Sequence, residues 1–150
     1  MTPNPKSAPP GLRKWSRRLL EHQADNPSHP QALLAAAEPV CQGLQEKLIT
    51  LIGSDGCRVL ISRAWVLTRR EFPALNPIET KGNCHLQGQD KSLQGLDAEQ
   101  AAEVQVVMLA NLLWLLMIFI GEDLSMHLMY ELWPDLPPGE LGSSAEEAEQ

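Results

Sequence analysis

From Val104 to Gly121 the chain reads VQVVMLANLLWLLMIFIG, eighteen residues without a charge. Apolar residues occupy consecutive positions, so the alternation of a half-buried strand fails. The run also outlasts an ordinary strand, and the pattern predicts a helix. Asp97 precedes it and Gln100 follows three residues later, the spacing of a capping box. Glu99 and Glu103 place negative charge near the positive end of the helix dipole. Gly121 marks the stop. The helix is expected over about 98–120.

A helix that is apolar all round is either a buried central helix or a membrane span. A span needs roughly 20 apolar residues. Gln105 and Asn111 interrupt this run, and Trp114 sits in its middle rather than at an interfacial end. The nearest Lys or Arg is Lys91. These features favour burial.

The other helices read as amphipathic. Leu33, Ala37, Val40, Leu44, Leu48 and Leu51 recur at steps of three and four, predicting a helix over about 30–52 that ends at Gly53. Pro39 is expected to kink or split it. Cys57, Leu60, Ala64 and Leu67 form the stripe of a helix over about 56–71, with Val59 and Ile61 flanking. After Gly121, Leu124, Leu128 and Leu132 form a stripe over about 122–133, widened by Met129 and Trp133. A short N-terminal helix over about 11–22 places Leu12, Trp15 and Leu19 on one side and Arg13, Lys14, Arg17 and Arg18 on the other.

The expected fold is therefore all-α: a bundle of four main helices plus the short N-terminal one. A single domain spans 11–138. A disordered Pro-rich segment at 1–10 and an acidic tail at 139–150 flank it. The loop at 73–96 is irregular, with two short strands meeting near Gln89 and Asp90 as one reading. A loop this long is often functional, so a site would be sought there first.

Charge adds a layout to this picture. Residues 92–150 hold eleven acids and no Lys or Arg, while residues 1–91 hold twelve bases and eight acids. The two parts complement each other within one fold, or one end presents an acidic face to a basic partner. The basic N-terminal helix packs with a solvated face, or Arg13, Lys14, Trp15, Arg17 and Arg18 form a partner-binding arm.

Candidate chemistry is sparse. The three cysteines, Cys41, Cys57 and Cys84, argue against a disulfide framework and suit a reducing cytosol. The N-terminus lacks the apolar core of a secretory signal. Cys41 and Cys57 fall on apolar helical faces, where a small buried thiol is ordinary. Cys84 and His85 adjoin in the loop but lack paired zinc-ligand spacing. His22 and His127 are the helical histidines, and His127 is expected at the core or its boundary. No phosphate-binding or nucleophile-elbow signature occurs, and the few aromatics give little material for base stacking.

No catalytic residue, metal ligand or cofactor is assigned, and nucleic acid is not an expected partner. The sequence reads as a non-catalytic cytoplasmic interaction or regulatory module. Its partner is another protein, a second copy of the chain included. The alternatives are a membrane protein with 104–121 inserted, and a helical phosphotransfer or small-ligand bundle.

Overall fold

The computed structural model describes residues 8–24, 28–72 and 97–136. Four helices make up these residues: α1 (Pro10–Gln23), α2 (Pro30–Glu71), α3 (Ala98–Ile120) and α4 (Glu122–Leu132). The fold is an all-helical bundle. The loop at 73–96, with Cys84, His85 and the two suggested strands, lies outside the described residues, as do 1–7 and 139–150.

Helix α3 is the axis, and α1, α2 and α4 all pack on it. Met108, Leu109, Leu112, Leu113 and Leu116 have essentially no solvent exposure. Its length and composition suit a membrane crossing, yet 67% of its apolar window is buried inside the protein. The capping box forms as its residues predict. The Gln100 N–H donates to Asp97 Oδ1 at 2.8 Å, and the Asp97 N–H donates to Gln100 Oε1 at 3.2 Å.

The two expected helices at 30–52 and 56–71 are joined into one element, α2, bent at Gly53. The kink falls at Gly53, where the first of the two was expected to end. Gly53 has φ 85° and ψ 163°, and Gly121, between α3 and α4, has φ 98° and ψ 155°. This positive-φ, extended-ψ region is essentially open only to glycine. An added Cβ would meet nothing within 4 Å at either site, so backbone conformation selects the residue. Pro39 neither splits nor breaks α2, whose only non-helical dihedrals are at Gly53. Its ring is exposed. The helix dispenses with one backbone hydrogen bond on its wet side, where water replaces it.

Leu33, Ala37, Val40, Leu44 and Leu48 are buried as their spacing predicts, as are Cys57, Leu60, Ile61, Ala64 and Leu67. Two stripes end early. Leu51 is exposed two residues before the bend at Gly53, and Leu124 is exposed in the first turn of α4, a helix that turns Ser125, Leu128 and Met129 inward instead.

Two polar residues within the apolar run of α3, Gln105 and Asn111, are also buried. Asn111 has no solvent exposure. Its Oδ1 accepts from the Ala8 N–H at 2.8 Å, and its Nδ2 donates to Thr68 Oγ1 at 3.1 Å. The Thr68 hydroxyl donates onward to the Ala64 carbonyl at 2.7 Å. Ala8 was expected within a disordered segment. It is buried, with its N–H held by Asn111 and its carbonyl accepting from Arg13 Nε at 3.0 Å. This chain of bonds joins the N-terminal segment, α2 and α3.

Two substitutions test this core. Leu116→Asp should abolish cooperative folding, since an unpaired buried charge costs several kcal/mol against a domain stability of about 5–15 kcal/mol. Asn111→Leu should leave the Ala8 N–H without its acceptor and cost about 1–3 kcal/mol in urea denaturation.

Candidate functional site

Three regions of the described residues could meet a ligand or partner: the exposed side of α1, a polar cleft beside it, and an apolar groove at the far end of α3.

On α1 the amphipathic pattern places Leu12, Trp15, Leu19 and Leu20 in the core. Trp15 packs on Trp133, their ring centroids 5.6 Å apart and tilted by 58°. Of the four bases, Arg13 pairs with the Glu71 carboxylate through two N–H groups, and Arg17 pairs with Glu103. Lys14 and Arg18 are exposed and form no ion pair among the described residues. Trp15, Arg13 and Arg17 are thus engaged within the bundle, and two bases remain for a polyanion.

The cleft, a cavity of about 420 Å³, lies where the end of α1 meets the starts of α2 and α3. Arg17, Glu21, Glu99 and Glu103 line it. Its one base is already paired with Glu103, so its field disfavours anions.

The groove is different in kind. It is a cavity of about 500 Å³ between the part of α2 just after the bend and the last turns of α3. Gly56, Val59, Leu60 and Arg63 form one wall, and Leu115, Ile118 and Phe119 the other. The two walls run antiparallel, because Thr68 faces Asn111 while Gly56 and Val59 lie beside Ile118 and Phe119. Leu60 and Leu115 form a buried floor. Val59, Ile118 and Phe119 stand 60%, 54% and 61% exposed above it. A Cβ at Gly56 would lie 3.2 Å from the side chain of Ile52, so a larger residue would crowd this wall.

Nothing in the sequence separated these residues from the core. Val59 read as a flank of a buried stripe, and Ile118 and Phe119 belong to a run that is apolar on every side. A helical wheel cannot distinguish the covered end of such a helix from the uncovered end.

The remaining candidates are dispersed. His127 is exposed on α4 and sits 3.2 Å from Glu131, one turn on, rather than in the core. Cys57 is a buried free thiol, and its burial raises its pKa, which keeps it protonated and unreactive. Cys41 is disulfide-bonded, so the expectation of a buried thiol at this position is corrected. The third cysteine, Cys84, lies outside the described residues. Among the described residues no group of three His, Cys, Asp or Glu side chains could hold a metal ion. No protein family, curated protein or solved structure matches the chain.

Two outcomes follow from this arrangement. Trp15→Ala should destabilise the domain by about 3–5 kcal/mol, the range for emptying a buried aromatic site. Reversing Arg13, Lys14, Arg17 and Arg18 to Glu should cost less, because exposed and half-exposed pairs contribute about 0–1 kcal/mol each. Thermal melts of the two variants decide the order. In urea without reductant, iodoacetamide should label Cys57 but not Cys41, and prior reduction should expose Cys41, as read by peptide mass mapping.

Proposed function

We propose that the protein is a non-catalytic helical module that works through protein–protein contacts, and that its contact surface is the groove between the second part of α2 and the end of α3. The observation that carries this reading is the contiguous exposure of Val59, Ile118 and Phe119 over the apolar floor of Leu60 and Leu115. Large apolar side chains scattered singly on a surface need no explanation, but grouped around a recess they mark a binding site. Phe119 supplies the kind of aromatic anchor on which interface energy concentrates.

A helical groove with one exposed Arg, apolar walls and no facing acid or base suits recognition better than chemistry. Insertion of α3 into a membrane would strip away the partners of Asn111, which are bonded to it inside the bundle. Each polar group left unpaired in lipid costs several kcal/mol. The disulfide at Cys41 favours an oxidising compartment over the cytoplasm, since reducing cytosol keeps thiols free.

A photo-crosslinking amino acid at position 119, expressed in the protein's own host, should give adducts of discrete mass from the soluble fraction. The same reporter at exposed Glu46 or Lys14 should give none. Adducts at position 14 alone would move the contact surface to α1, and extraction only by detergent would favour membrane insertion.

A further inference from the structure

We infer that the occupant of this groove is a second copy of the chain, in a two-fold symmetric contact centred on Phe119. The inference rests on the docking reading above and names its partner.

Two properties of the patch make it complementary to itself. The first is shape. The same few residues supply both a recess, floored by Leu60 and Leu115, and the apolar side chains that rise beside it, Phe119 above all. In a two-fold contact each copy offers the identical patch, so a knob must find its hole on the same surface. Phe119 of either copy then enters the recess of the other.

The second property is charge. Arg63 lies on the α2 wall of the groove. Glu122 and Asp123 open α4, three and four residues beyond Phe119 on the α3 wall. All three are exposed, and none forms an ion pair among the described residues. A base on the α2 wall, level with the Leu115 end of the groove, and two acids just past the Phe119 end of the α3 wall are the layout a two-fold axis pairs. Rotation about that axis brings each copy's Arg63 toward the other copy's Glu122 and Asp123.

The same acids argue against a lipid surface. They follow the exposed Phe119 by three and four residues, so an anionic headgroup layer meeting that residue would repel them. A purely apolar partner would leave Arg63 in the groove, and the two acids just past its end, without counterparts. The patch is a handful of side chains, smaller than the ~800 Å² per partner of a standard stable interface. The dimer should therefore exchange with monomer, with a Kd on the order of micromolar or weaker.

The test is sedimentation equilibrium of the full chain over a range of concentrations. Wild type should shift from monomer to dimer as concentration rises. Phe119→Asp should stay monomeric with an unchanged helical spectrum and melting temperature, since its side chain is exposed. Arg63→Glu alone, and the double variant Glu122→Arg with Asp123→Arg alone, should each weaken the dimer by about tenfold or more, because like charges then face each other. Mixing these two variants should restore dimer as a mixed pair, because every facing pair is again opposite in sign. A dimer that forms but ignores Phe119, or a mixture that fails to restore pairing, overturns the inference.

A wild-type chain that stays monomeric also overturns it, and two further measurements then separate this failure from failure of the docking reading. If Phe119→Asp loses binding of an apolar fluorescent dye that wild type binds, the groove docks something other than a second copy. If neither protein binds dye, the docking reading fails too. Co-sedimentation with phosphatidylcholine–phosphatidylglycerol vesicles that depends on Phe119 would assign the face to a membrane instead.

Discussion

A helix apolar on every side can rest in water only if other chain segments wrap it, and α3 imposes that demand on the rest of the molecule. Its neighbours meet the demand in sequence. The first part of α2 contributes Leu44 and Leu48, the second part Ile61, Ala64 and Trp65, α1 contributes Leu19 and Leu20, and α4 contributes Leu128 and Met129, all buried. The bend at Gly53 lets one long stretch of chain supply two of these faces. The turn at Gly121 folds α4 back for another. Coverage of its apolar run fails at the last turn of α3, where Ile118 and Phe119 emerge beside Val59. The groove and the core are thus two outcomes of the same constraint, separated by where the covering helices run out.

The charge division along the chain has a similar internal use. Arg17 on α1 pairs with Glu103 on α3, and Lys47 on α2 pairs with Glu131 on α4 at 3.3 Å. Both join the basic first part of the sequence to its acidic remainder. Arg13 with Glu71 is an exception, with both partners in the first part. All of these pairs keep substantial solvent contact, so they orient helices already held by apolar burial rather than hold them.

Local rules were the legible ones. Asp97 and Gln100 announced a capping box because both partners lie within one turn, and Gly53 and Gly121 announced breaks in the helices because no other residue takes their φ cheaply. The stripes on α1 and α2 were readable from spacing alone. What escaped were properties set by distant neighbours. Pro39 looked like a helix breaker, but its exposure decides that it is tolerated. Leu51 and Leu124 kept the period of their stripes while lying beyond the reach of a partner helix. His127 sat among apolar residues in sequence and yet faces water, because α4 buries its Ser125 and Met129 side instead. The groove had no local signature at all, since its walls come from residues about sixty positions apart.

The bond from Ala8 to Asn111 bears on which sequences can share this architecture. The side chain belongs to Asn111, whereas position 8 contributes only its main-chain N–H. Any small residue at position 8 could therefore hold the latch, with proline the exception because it lacks that hydrogen. Proline occupies positions 3, 5, 9 and 10 but not 8. The leading segment can drift widely in composition as long as one amide in its register stays free to donate. The requirement on position 111 is far stricter, for it must both accept from that amide and donate to Thr68, a pair of roles that a carboxamide fills and an aliphatic side chain of equal size cannot.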